Sequence, residues 1–139
     1  MIVGQGDEYP AGAGKGEDMT KTVLVVEDDA LNMMVFRDTL QAHGFSCLEA
    51  IDGDAAMEIA QEARPDLILM DIQLPGASGM DVTRRLKAER ELRDIPVIAV
   101  TAFAAHGDEE RVRACGCEDY LSKPISIQTL IDTIERHIK

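Results

Sequence analysis

A chain of 139 residues with 45% apolar side chains suffices for one domain with a real core and is too short for two ordinary ones. Its formal charge of −12 argues against nonspecific nucleic-acid binding, which rests on Lys and Arg contacts to phosphate. No apolar run approaches the ~18 residues a membrane span needs, and the N-terminus lacks the basic start and apolar stretch of a secretory signal.

Residues 1–18 hold Gly4, Gly6, Gly12, Gly14 and Gly16 and show no apolar periodicity. They read as a flexible leader, native or added in cloning; Met19 is a plausible natural start, so the folded domain is expected over 19–139. From Lys21 onward, strands alternate with helices. Lys21–Glu27 is a β-branched run that predicts a buried strand. Asp29 caps a helix carrying Met33, Phe36 and Leu40 at helical spacing, which His43 and Gly44 end. Ser46–Ala50 is a weaker strand. Asp52-Gly53 predicts a turn before a helix with Ala56, Ile59, Ala60 and Ala63, which stops at Arg64-Pro65.

Leu67–Asp71 is the third strand. A loop with Pro75, Gly76 and Gly79 leads to a helix over Met80–Glu89, with Val82 and Leu86 inward. Pro96 opens a strand over Val97–Thr101. The next helix starts near Gly107 or Asp108 and ends at Cys115-Gly116. Asp119–Ser122 is a short fifth strand, and Ser126 caps a last helix with Ile127, Leu130, Ile131, Ile134 and Ile138 on one face. Strands each followed by a helix mean right-handed βαβ crossovers and a parallel sheet covered on both faces. The expected fold class is α/β, a doubly wound five-stranded parallel sheet of order 2-1-3-4-5 in a flavodoxin-like three-layer sandwich.

Cys47, Cys115 and Cys117 form no paired framework, which fits a reducing cytoplasm. Cys115-Gly116-Cys117 alone supplies two of the four ligands of a closed zinc site, so buried thiols are the expectation there.

The polar residues at strand ends carry the chemistry. Open α/β sheets bind ligands at the carboxyl ends of their strands, where the strand order reverses. In this chain those ends hold Glu27 and Asp28 after the first strand, Asp71 closing the third, Thr101 closing the fourth and Lys123 after the fifth. Three neighbouring carboxylates repel unless a cation is shared. Oxygen ligands without a nearby histidine or thiol suit Mg²⁺, which characteristically pairs one or two carboxylates with a phosphate. An ammonium and a hydroxyl beside them make a phosphoryl site, with Asp71 as the nucleophile of an aspartyl-phosphate.

These residues, together with Leu69-Met70-Asp71-Ile72-Gln73-Leu74-Pro75-Gly76, Gly79, Thr101-Ala102 and Lys123-Pro124, resemble the receiver domain of two-component response regulators, the CheY-like fold. The resemblance covers Lys21 to about Lys139. It implies that Asp71 accepts a phosphoryl group from a histidine kinase, which can also act as phosphatase, or from a phosphotransfer protein. It implies Mg²⁺ held by Asp28, Asp71 and the Gln73 backbone carbonyl, with Glu27 ligating directly or through water.

Thr101 and Lys123 are then the phosphoryl-binding pair, and Tyr120 is an aromatic switch that follows Thr101. The Lys123-Pro124 bond is expected to be cis. Phe103, flanking the water path with Gln73, is expected to slow loss of the phosphate. No effector domain is expected after Lys139, so output passes to a separate protein through the face of the fourth helix, fifth strand and last helix. The expected role is phosphorelay signalling in cell division, not turnover chemistry. A Mg²⁺-dependent phosphatase would need a second acid where Gln73 stands, and a receiver that never takes phosphate would not need the full set of acids, Thr and Lys.

Overall fold

The structure, a computed structural model, describes residues 20–102 and 108–138. The leader, Met19 as a start, Phe103, His106 and Gly107 lie outside the described residues.

Five parallel strands form one sheet in the order β2-β1-β3-β4-β5. They are β1 (Thr22–Val26), β2 (Ser46–Ala50), β3 (Leu67–Asp71), β4 (Val97–Thr101) and β5 (Asp119–Ser122). Between and after them run α1 (Ala30–Ala42), α2 (Gly53–Ala63), α3 (Gly79–Ala88), α4 (Asp108–Ala114) and α5 (Ile127–His137). The expected fold class and strand order therefore hold.

The solid apolar runs of the central strands follow from the two faces they serve. Val23, Val25, Leu67, Leu69, Ile98 and Val100 point to one side and pack with Met33, Phe36 and Leu40 of α1 and Leu130 and Ile134 of α5. Leu24, Val26, Ile68, Met70, Val97 and Ala99 point to the other, against Ala56 and Ala60 of α2, Val82 and Leu86 of α3 and Val112 of α4. Alternate residues of a strand face opposite layers, so a strand buried on both sides has no polar position to spare. Each large side chain removed from water contributes about 1.5–3 kcal/mol. β2 is an edge strand and correspondingly less buried.

Local chemistry sets the helix ends. Asp29 accepts from the Leu31 N–H, Asp52 from Ala55 and Ser126 from Thr129, each an N-cap. Asp52-Gly53 is thus not a turn ahead of α2 but its cap and first helical residue. Arg64 closes α2 in the left-handed region at φ 47° with its N–H bonded to the Ala60 carbonyl, and Pro65 after it keeps the helix from continuing.

The last helix departs from expectation at one place. Leu130, Ile131 and Ile134 are buried and Ile138 packs on the core, but Ile127 is 56% exposed. It is the first residue of α5 and follows the Ser126 cap. Cys115 and Cys117 are buried free thiols, their sulfurs 3.7 Å apart. Burial pushes the Cys117 thiol up to about 12, with the neighbouring Cys115 adding to the rise, so it is a poor thiolate at neutral pH.

Candidate functional site

The register of the sheet assembles the site. Val26 pairs with Met70 and Asp71 with Val100, so Glu27, Asp71 and Thr101 fall at successive strand ends along one rim. Thr101 pairs with Ser122, and the Lys123 N–H donates to the Thr101 carbonyl at 2.8 Å, which brings Lys123 to the same rim. The Lys123-Pro124 peptide is cis, as the sequence led us to expect.

Asp71 is 4% exposed, Glu27 2% and Thr101 3%. Burying two carboxylates this completely is costly unless cations or hydrogen bonds hold them. Lys123 serves both: its Nζ lies 3.1 Å from Glu27 Oε1 and 3.6 Å from Asp71 Oδ2. The backbone completes the set, with the Gln73 N–H donating to Asp71 Oδ1 at 3.0 Å and the Asp29 N–H to Glu27 Oε2 at 3.2 Å. Asp28 is exposed at the mouth.

One ammonium does not balance this group. Burial, and then the charge of Asp71, raise the Glu27 carboxyl above the usual carboxylate range, while the bonds from Lys123 and the Asp29 N–H pull it down. Carboxylate oxygens of Glu27, Asp28 and Asp71 all lie within 4.8 Å of one another. A hard-oxygen donor set with surplus negative charge and no nitrogen or sulfur ligand fits Mg²⁺.

The loop after Asp71 is held by close packing. The Gly79 N–H donates to the Ile72 carbonyl at 2.8 Å, and a Cβ at Gly79 would collide with the Asp71 carbonyl oxygen. Only glycine lets α3 start this near the acid-bearing strand end. Tyr120 lies half-buried in β5 against the core, paired with Ala99 of β4 and two strands out from Asp71.

Two clusters escaped sequence reasoning. Lys87 of α3 donates to the Arg93 and Ile95 carbonyls and pairs with Glu118 at 2.9 Å, while Glu118 also accepts from the Val97 N–H at 2.7 Å. Asp119 gathers Arg113, Arg136 and His137. Both join residues far apart in the chain, and no spacing rule announces such partners.

The geometry has counterparts among known proteins. The profile of the response regulator receiver domain family matches residues 23–135. The polar-differentiation response regulator DivK of Brucella ovis is 56% identical over 120 residues, covering 86% of this chain and 98% of that protein; DivK of Brucella anthropi matches to the same extent. Among solved structures, the receiver domain of a sensor histidine kinase from Pseudomonas aeruginosa, with a magnesium ion coordinated in its active-site cleft, superposes with a TM-score of 0.80 at 36% identity, covering 85% of this chain and 97% of that one. The chemotaxis response regulator CheY4 of Vibrio cholerae gives 0.82 at 27% identity, covering 86% and 100%.

Proposed function

The chain belongs to the response regulator receiver domain family, a signalling family that typically works by phosphorylation, and from that premise we propose that Asp71 is its phosphoacceptor. The donor is the phosphohistidine of a histidine kinase or phosphotransfer protein. The observation that carries this reading is a buried carboxylate at the end of the central strand, 3.6 Å from an ammonium that a second buried acid shares.

The chemistry follows from those neighbours. A carboxylate oxygen of Asp71 attacks phosphorus in line with the departing imidazole; the new O–P bond forms as the P–N bond breaks, and the imidazole nitrogen keeps the electron pair. A carboxylate nucleophile needs no general base. Lys123, tethered to Glu27 before the reaction, turns its ammonium toward the transferred oxygens, and Thr101 donates its hydroxyl hydrogen to another. Asp28, Asp71 and the Gln73 carbonyl would hold Mg²⁺, with Glu27 direct or through water; bound there, the ion supplies the charge neutralisation that one lysine lacks. Gln73 carries no acidic proton, which argues against a turnover phosphatase.

Recruitment of Thr101 pulls on the end of β4, and Tyr120 on the neighbouring strand follows, changing the face made by α4, β5 and α5. A separate effector protein binds that face. The 56% identity to DivK supports a role in cell-cycle and polarity signalling. No helix among the described residues is long and apolar enough to cross a membrane; separately, the acidic charge and free thiols support a cytoplasmic protein that does not bind nucleic acid. The receiver domain spans 19–139, with 1–18 as a leader.

Intact mass after incubation with acetyl phosphate tests the acceptor. The full chain should gain one phosphoryl group with Mg²⁺ and none with a chelator, and Asp71→Asn should gain none. A variant that still gains the full mass removes Asp71 from the role, and a native chain that gains nothing removes the function.

A further inference from the structure

Asp119, the first residue of β5, has a side chain only 17% exposed, and each of its oxygens answers to a different helix. Oδ1 accepts from the Tyr120 N–H at 2.9 Å and lies 3.3 Å from Arg113 of α4. Oδ2 lies 3.3 Å from Arg136 and 2.9 Å from His137 Nε2, both in the last turn of α5. Arg113 is further held by Glu109, 3.0 Å away, and donates to the Glu118 carbonyl at 3.2 Å. A single carboxylate therefore joins α4, β5 and α5 at the base of the switching face. Burial works against its charge, but the bonds from His137 and the Tyr120 N–H, with the charges of His137 and Arg113, hold Asp119 below the usual carboxylate range.

α4 depends on such ties. It has seven residues, too few to hold a helix alone. Among its described side chains only Val112 is buried. Exposed ion pairs taken singly are weak, but here several converge on one carboxylate screened from water, next in sequence to Tyr120.

We propose that Asp119 is a latch that holds α4 in its resting position against β5 and α5, so that the switch must release it before the output face changes. The regulatory part rests on the phosphoacceptor reading; the mechanical part does not. A latch that favours the resting arrangement also opposes phosphorylation, because coupling between the two ends of one equilibrium is reciprocal.

The test uses the full chain carrying Asp119→Asn, which keeps the shape and loses the charge, and Arg113→Gln, a half-exposed change that the fold tolerates. Amide hydrogen exchange without phosphate should be about fivefold faster across α4 in both variants and unchanged in β1 and β3. Labelling by acetyl phosphate should be roughly threefold faster than in the native chain. Unchanged exchange in α4 in both variants overturns the latch. Faster exchange with an unchanged labelling rate leaves Asp119 as a structural tie and overturns its control of switching. A native chain that takes no phosphate counts against the phosphoacceptor reading and with it the regulatory part, while the exchange result still decides the mechanical one.

Discussion

Glu27 is held between a like charge and an ammonium with 2% of its surface in water. Burial first, and Asp71 second, lift its carboxyl above the ordinary 4.5. The folded protein thus binds this proton more tightly than the unfolded chain. Glu27's effect on stability is most favourable below pH 4.5 and is lost as pH rises through the elevated folded value. Replacing it with Gln removes a charge the fold resists. In chelator at pH 7, Glu27→Gln should raise the melting temperature by about 3 °C, with a flatter pH profile above 4.5 than the native chain; a lower melting temperature would mean that Glu27 is needed to hold Lys123. Asp119 has the opposite sign. Its carboxyl is lowered from 3.8, so its contribution is present above that pH and lost as acid protonates it. Residue types at these positions were legible in the sequence as a rim of three acids, a hydroxyl and an amine. Which acid holds the lysine was not, because Glu27 and Lys123 stand 96 residues apart and meet only through the register of three intervening strand pairs.

At the scale of elements, α3 shows how one residue sets a strand-to-helix approach. Gly79 lets the helix begin against the Asp71 backbone, where a Cβ would also come within 2.9 Å of the Asp71 carbonyl carbon and the Ile72 Cα. Backbone atoms in a packed sheet do not yield cheaply. Gly79→Ala should destabilise the domain by about 2–3 kcal/mol in urea unfolding, and slow acetyl-phosphate labelling because Asp71 shifts with its strand end. A loss below ~0.5 kcal/mol would show that the loop adjusts freely. Strand bounds at this scale were readable almost to the residue for β2 to β5, since each is an apolar or β-favouring run stopped by turn chemistry. Helix starts were less so: an Asp-Gly pair serves a turn or a helix cap equally well, and at Asp52 the side chain accepts from the Ala55 N–H at 2.8 Å, which makes it the cap. Ile127 fits the apolar periodicity of α5 yet stays exposed, because periodicity reports direction around a helix and not what covers each position along it.

For the whole molecule, surplus negative charge concentrates at one end of the sheet within a chain of net charge −12. A cation that binds the folded site and not the open chain stabilises the fold by mass action. Millimolar Mg²⁺ should raise the melting temperature by about 2–5 °C, NaCl at equal ionic strength by much less, and Asp28→Asn should lose most of the Mg²⁺ increment. Equal gains from both salts would reduce the effect to general screening.

Sequence alone settled the order of the elements, the parallel doubly wound sheet and the list of polar groups on its rim, because periodicity, caps and strand ends are local properties and the handedness of βαβ units leaves little topological freedom. Tertiary structure decided the partnerships: Lys123 with Glu27 as well as Asp71, Lys87 with Glu118, and Asp119 with two helices at once. Those choices depend on which strand ends and helix turns come within a few ångströms after the sheet has formed, a distance that no spacing along the chain encodes.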